Sequence, residues 1–405
     1  MKSYDILIVG GGMVGASLVQ ALAGQGLRIA VIESAPFESR TRPGYDDRAI
    51  ALAHGTQKIF RALGLWDELS GAATPIHRIH VSDRGHCGFT RMDRAGEGLD
   101  ALGYVVPARV LTRVLGEVLR QPGAVDLYCP AALSELVING SGATARAGSD
   151  AMEQEISARL VVAADGAGSA VRDQLGIPVK VHDYGQVAVV TNVTPQLAHN
   201  NIAYERFTET GPLAMLPMSE QRCAVVWTLD EKDSDAVMAW SDTEFLARLQ
   251  DRFGYRLGRL ERVGRRQAWP LRLVKAQESV RLRLALVGNA AHTLHPIAGQ
   301  GFNLGVRDVA VLAEVIVDAV RAGRDPGELV VLSRYRSWRQ GDQRRVTAFT
   351  DGMARMFTLP LPAFSVVRSA GMVALDLLPP AKRLLTRLTM GRGGRASRLA
   401  RGLPL

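Results

Sequence analysis

Gly10, Gly12 and Gly15 stand in the order G-x-G-x-x-G, and Glu33 follows eighteen residues beyond Gly15. Between a strand and a helix, glycines and an acid at this spacing form a landing site for a dinucleotide. Gly10 permits a tight turn, Gly12 lets a pyrophosphate approach the backbone, and Gly15 lets the helix pack on the strand. The helix start, with Met13 and Val14, offers free N–H groups and positive dipole potential to phosphate. Glu33 can accept hydrogen bonds from a ribose diol.

Two further stretches carry chemistry. In "ARLVVAADGAGSAVRDQLG" an apolar run ends at Asp165-Gly166, and a short helix bearing Arg172 follows. An ordinary strand-ending turn would look the same. In "VGNAAHTLHPIAGQGFNLGVRD", Val287 to Asp308, Gly288-Asn289 closes another apolar run, and Pro296, Gly299, Gly301 and Asn303 precede a long helical pattern. Gly299 and Gly301 let the backbone press against something flat. The helix then points its N-terminus at that object and stabilises negative charge there. A reduced flavin, charged around N1 and its C2 carbonyl, suits such a site.

These residues need elements to hold them. Ile6 to Val9 is an apolar run bounded by glycine and reads as a buried parallel strand. A helix is expected from about Met13 to Gln25, then a second strand in "LRIAVIE". Leu160 to Ala164 and "RLALVG" read as further buried strands. Elsewhere the period changes. "QVAVVTNVTP", "GPLAMLPM" and "RCAVVWTL" are short, β-branched and turn-bounded, and with "IHRIHVSDRGHCGF" they read as an antiparallel sheet. That sheet would form one wall of the site. Leu213, Met215, Leu216, Pro217 and Trp227 are candidates to face a ligand, and ordinary sheet core is the competing reading. "GSGATARAG" lacks a strand–turn–helix context and reads as a hairpin or loop.

The expected fold class is therefore mixed α/β. A discontinuous Rossmann-like domain (1–72, 104–180, 276–350) carries an inserted antiparallel-sheet substrate domain (73–103, 181–275), and 351–405 forms a helical, basic C-terminal segment.

Composition narrows the function classes. The chain has 405 residues, 47% of them hydrophobic, enough for a large core in about two domains. Cys87, Cys129 and Cys223 form no metal-ligand spacing and no disulfide framework, so a reduced, cytoplasmic setting is expected and no metal is. The first residues enter a strand directly, so no signal peptide is expected. No apolar run reaches the roughly 18 residues of a spanning helix. The net charge of +9 favours anionic partners. No nucleic-acid motif accompanies it, which leaves nucleotides and anionic lipid. No Ser/His/Asp or Cys/His arrangement suggests nucleophilic catalysis.

Taken together, G-x-G-x-x-G, D-G-x-x-S-x-x-R and G-[DN]-A-A-H-x-x-x-P-x-x-G-x-G-x-N resemble the FAD-dependent aromatic hydroxylases of the p-hydroxybenzoate hydroxylase type. "DDRAIALAHGTQKIFRALGLW", "HVSDRGHCGF" and "ERFTETGPLAMLPM" are similar to the ubiquinone-biosynthesis branch. The likeness covers about residues 1–350 well and the tail loosely. It implies tightly bound FAD, NAD(P)H as a transient electron donor without its own Rossmann domain, and O2 as co-substrate. A polyprenyl phenol, 2-polyprenyl-6-methoxyphenol, would be the substrate. Gly10, Gly12, Gly15 and Glu33 would hold the ADP half, with Arg48 over the flavin side, Arg109 opening a helix beside the cofactor and Asp165 near the pyrophosphate. Asn289 would bond a ribityl or phosphate-side oxygen, and the backbone from Gly299 to Asn303 would hold the isoalloxazine. Gly288-Asn289 departs from the Gly-Asp of many flavin hydroxylases but is common in this branch.

A base could deprotonate the phenol, and histidine is the usual choice. His295, with Pro296 beside it, is the candidate. It and His292 can equally be hydrogen-bonded loop residues. Competing readings are the same chemistry at another ring position or on another apolar aromatic, a flavin reductase of isoprenoid double bonds, and a non-enzymatic flavoprotein scaffold.

The tail differs from the rest. "MFTLPLPAFSVVRSAGMVALDLLPPAKRLLTRLTMG" mixes apolar helical faces with Lys382, Arg383 and Arg387, as suits contact with a membrane surface or a biosynthetic complex. A helix covering the flavin domain is the alternative. The terminal "GRGGRASRLARGLPL" reads as mobile.

Overall fold

The computed structural model describes residues 2–36, 45, 48–123, 125–149, 152–358 and 371–405. Where the sequence is most apolar, a parallel sheet forms. Lys2–Val9 pairs in parallel with Ile29–Ile32 on one side and Met152–Ala163 on the other. Asp126–Tyr128 and Leu284–Leu286 extend it outward. Ile6, Leu7 and Ile8 are fully buried because both faces are covered. Ile6 and Ile8 join Leu18, Leu111 and Val309 of the helices Met13–Leu22, Ala108–Arg120 and Gln300–Arg321. Leu7 and Val9 point the other way, into Leu136 and Ala145 of the hairpin Ala132–Ile138/Ala143–Ser149. "GSGATARAG" supplies the turn and second strand of that hairpin, where the Asn139 side chain accepts from the N–H groups of Ser141 and Gly142 at 2.9 and 3.0 Å.

A second sheet runs in the order His292–Thr293, Gln267–Ala276, Val179–Pro195, Cys223–Asp230, Gly211–Pro217, Ile202–Thr208, Arg78–Asp83, Phe89–Asp93. It is antiparallel except where Ile202–Thr208 meets Arg78–Asp83. The helix Asp242–Phe253, capped by Ser241 Oγ accepting from Glu244 N, covers its outer face. Three short strands, Ala49–Ala53, Gly103–Pro107 and Thr74–Ile76, form a small separate sheet.

The expectation of a mobile terminus is corrected. Ser397 and Leu399 are 2% and 1% exposed. Arg398 pairs with Glu314 and Asp318 on the helix Gln300–Arg321. Trp338 Nε1 donates to Arg395 O at 3.0 Å, and the Arg395 guanidinium lies over the Trp338 ring. The basic charges of the terminus find carboxylates and an aromatic face, and Leu399 fills a place in the main core.

Candidate active site

The first glycine motif forms a cradle. Gly10 has φ +101°, and a Cβ there would sit 2.5 Å from Ala164 O. A Cβ on Gly15 would lie 1.9 Å from Gly10 O. Both positions are closed to side chains by the fold. Gly12 is different: a Cβ would meet nothing within 4 Å. Gly12 is the N-cap of Met13–Leu22 and no side chain caps that helix. The open space and uncapped N–H groups fit a pyrophosphate. Glu33 ends the second strand nearby, buried, its Oε1 accepting from Ala35 N.

The other two motifs lock to each other. Ser169 caps the short helix Ala170–Gln174 and accepts from Arg172 N. Buried Arg172 donates from Nη1 to Ala290 O at 2.9 Å, which ties the Asp165 turn to the Asn289 turn. Asp165 Oδ2 accepts from Val171 N, and Oδ1 is buried without a partner among the described residues. Burial pushes this carboxyl up, against the bonds from Ser169 and Val171. An orphaned acceptor here fits a hydroxyl-bearing ligand such as FAD. Gly288, at φ +58°, lies against Val14, and Gly305 approaches Gly288 closely. Val14 is thus the packing contact between the first motif and the third. Ala108 N donates to Arg48 O at 2.7 Å, which brings Arg48 beside the helix that Arg109 opens. The Arg48 guanidinium lies over Trp269.

Gly299 takes the left-handed conformation, φ +60°, with Ala51 close behind it. It caps Gln300–Arg321 without any side-chain bond, leaving that N-terminus open. Asn303, whose backbone is expected to help hold the cofactor ring, lines the cavity but commits its side chain to the protein. Its Oδ1 accepts from Ala53 N and Thr56 Oγ1, and its Nδ2 donates to Ala51 O and Gly299 O, at 2.7–2.8 Å. Both amide hydrogens and the oxygen are committed to protein. Asn303 fastens the Gly299 turn to the strand Ala49–Ala53 rather than offering its side chain to a ligand.

A cavity of about 800 Å³ lies between this turn and the second sheet. Asn289, Pro296, Gly299 and Gly301 line one side. The sheet wall needs a correction. Leu216 faces the cavity, but Leu213, Met215 and Trp227 pack on the reverse face against Phe245, Leu249 and Phe253, and Pro217 is not among the lining residues. Strand alternation decides this. The face that looks apolar in the sequence is covered by Asp242–Phe253, and Ala214, Leu216 and Val226 take the cavity side.

Glu205 was not among the expected residues. It lines the cavity from the strand Ile202–Thr208, and burial pushes its carboxyl up to about 7. The signal was present: Ala203 and Phe207, two residues to either side, are apolar and share its face. An acid in the apolar register of a strand marks either an error of register or a site.

The histidines divide differently from expectation. Pro296 lines the cavity and His295 does not. The His295 ring is 1% exposed, edge-on to Tyr184 at 5.1 Å, with neither nitrogen bonded among the described residues. Burial holds it neutral, down to about 4. His292 Nε2 meets Asp308 Oδ2 at 2.6 Å behind the loop.

Comparison with known proteins agrees with this geometry. The family model described as FAD binding domain matches residues 3–350. The chain is 40% identical to the ubiquinone hydroxylase UbiL of Rhodospirillum rubrum, covering 100% of this chain and 94% of that one. It is 32% identical to the 3-demethoxyubiquinol 3-hydroxylase of Escherichia coli, over 96% and 98%. Among solved structures, p-nitrophenol 4-monooxygenase from Pseudomonas putida superposes with a TM-score of 0.81 at 23% identity, covering 98% of this chain and 100% of that one, and shares the fold. With its glycine cradle, its open helix start over the cavity and these matches end to end, the chain belongs to the FAD-binding-domain family and is an FAD-dependent monooxygenase.

Proposed function

We propose that this monooxygenase hydroxylates the ring of a polyprenyl phenol in ubiquinone biosynthesis, converting 2-polyprenyl-6-methoxyphenol to the 1,4-benzoquinol with NAD(P)H and O2. The observation that carries the reading is the cavity lining, which among the described residues includes no lysine, arginine or histidine. A benzoate would bury its carboxylate without a cation, and beside Glu205, at prohibitive cost. A decarboxylated, prenylated phenol leaves no such charge. The names of the two relatives support the pathway.

FAD, when bound, supplies electron transfer and oxygen activation. The chain would hold its ADP half at Gly10–Gly15 and Glu33, and its ring at the uncapped start of Gln300–Arg321. The cavity walls orient the phenol and exclude water.

The C-terminal segment supplies the far wall through Met372, Leu375, Leu385 and Met390. On its outer side Leu377, Leu378 and Leu384 are 72%, 55% and 64% exposed. Arg383 and Arg387 share the helix Pro379–Thr389 with Leu384, while Lys382 is paired with Asp376. This surface is our proposed contact with an anionic membrane, from which a prenyl tail would enter. No described helix is long and apolar enough to cross one.

Mass spectrometry of a strain lacking the protein, grown in air, tests the substrate. Accumulated 2-polyprenyl-6-methoxyphenol with lost ubiquinone is expected. A demethoxy quinone instead would move hydroxylation to another ring carbon, the second reading, which the name of the Escherichia coli relative favours. Normal ubiquinone would overturn the pathway.

A further inference from the structure

We propose that Glu205 is a catalytic residue: its carboxylate binds the substrate's phenol hydroxyl and takes that proton during hydroxylation. This rests on the reading of the substrate as a phenol.

The sheet geometry isolates one acid in an apolar wall. Across the strands, Glu205 pairs with Val81 on one side and Ala214 on the other. Beyond them come Thr90 and Val226. Along its own strand Ala203 and Phe207 share its face, and all of these line the cavity. The charged neighbours lie elsewhere. Alternation turns Tyr204 and Arg206 to the reverse face, along with Arg78, His80 and Arg91 on the adjacent strands; the Tyr204 ring packs there on Phe253. Asp83 pairs with His86 at the strand end. Asp376 and Lys382 pair with each other behind Thr90, and Asp351 accepts from Tyr184. The Glu205 carboxyl has no hydrogen-bond or ion-pair partner among the described residues.

A half-buried carboxyl with no protein partner is poorly placed for stability and well placed for a ligand that donates one hydrogen bond. The Pro296–Gly301 turn lines the same cavity. In the step, the phenol O–H bond breaks and its electron pair stays on the ring oxygen, activating the ring. The proton bonds to a Glu205 oxygen, which goes from anionic to neutral. When the hydroxylated ring carbon loses its own proton and aromaticity returns, Glu205 gives its proton back to the ring oxygen. The new C–O bond forms as the O–O bond of the activated oxygen breaks, with O2 and NAD(P)H supplying the oxidation, and the proton lost by the ring carbon neutralises the oxygen left on the donor side, so the balance closes. A base whose pKa lies near operating pH is the effective kind, and Glu205, raised by burial to about 7, meets that condition.

The test uses FAD-loaded, oxidised protein without reductant. A one-isoprene analogue of 2-polyprenyl-6-methoxyphenol is titrated in and Kd read from the flavin absorbance. In the wild type, Kd should fall about ten-fold from pH 6 to pH 8 as Glu205 ionises to accept the hydroxyl. In Glu205→Gln it should be flat. Under turnover the variant should oxidise NAD(P)H with little hydroxylated product, and a fluorinated analogue, already partly phenolate, should restore coupling. Binding that is equally pH-independent in both proteins, or undiminished coupling in the variant, would overturn the role of Glu205 and leave the substrate reading intact. Failure of the wild type to bind the phenol at any pH would overturn both.

Discussion

Nε2 of His292 lies 2.6 Å from Oδ2 of Asp308, and the pair is sealed from solvent. Against an ionised carboxylate the imidazole must be the donor. The other Asp308 oxygen accepts from Arg339 Nε at 2.7 Å and Gln343 Nε2 at 3.0 Å. Arg339 and Arg307 both reach Asp342. A buried chain of charges thus joins the cofactor loop to two long helices, with the Gly288 N–H also directed at Asp308.

Burial pushes the Asp308 carboxyl up, but the charges and bonds of His292 and Arg339 outweigh it and hold it well below the usual carboxylate range. A depressed carboxyl stabilises the fold above its unfolded value and loses that contribution as pH falls towards the folded one. Asp308→Asn leaves Arg339 under-compensated and should cost about 3–5 kcal/mol at neutral pH. Thermal melts should show the gap to wild type narrowing as pH drops below about 4. A constant gap would mean the charge on Asp308 is not what stabilises the fold.

Two glycines of one motif should fail in different ways. Gly12→Val places a side chain in open space, so the apoprotein should melt like wild-type apoprotein yet hold no FAD. Gly15→Val drives a Cβ into Gly10 O and should prevent folding. Flavin released on denaturation, read beside circular dichroism, distinguishes the two. Full FAD in Gly12→Val would place the pyrophosphate elsewhere.

Glu205 carries a stability cost with a definite pH signature. A carboxyl raised from 4.5 to about 7 binds its proton more tightly in the fold, so stability falls as pH rises through that window. Glu205→Gln should be more stable than wild type at pH 8, by about 1–3 kcal/mol given the water a cavity admits, and equal to it below about pH 4. Denaturant melts at both pH values measure this. A variant less stable at pH 8 would show that the carboxylate has a protein partner.

Replacing Leu377, Leu378 and Leu384 together with serine should leave FAD content unchanged and weaken co-sedimentation with vesicles of anionic lipid several-fold. Unchanged sedimentation would remove the membrane from the proposal. Deleting residues 393–405 is a different experiment, because Ser397 and Leu399 are core. That truncation should lower the thermal midpoint by several degrees, consistent with a loss of about 1–3 kcal/mol.

What the sequence determined by itself is what local spacing controls. Gly10, Gly12 and Gly15 announce a turn and a helix start because only glycine tolerates φ +101° at Gly10 and a neighbouring backbone where the Gly15 Cβ would be. The apolar runs at Ile6–Val9 and Leu160–Ala164 announce buried parallel strands because no polar alternation interrupts them. Tertiary structure decided what depends on which face is covered and by what. Leu213, Met215 and Trp227 look fit to meet a ligand until the helix Asp242–Phe253 lies over them. Nothing in the sequence shows that the Asn303 side chain is taken by four partners, three of them some 250 residues away. The terminal stretch reads as mobile until Glu314 and Asp318 stand opposite Arg398. Glu205 is an unremarked acid in "ERFTET" until Val81 and Ala214, contributed by two other strands, flank it in an apolar wall. A side chain's desolvation depends on neighbours distant in sequence, and no period of two or 3.6 residues records them.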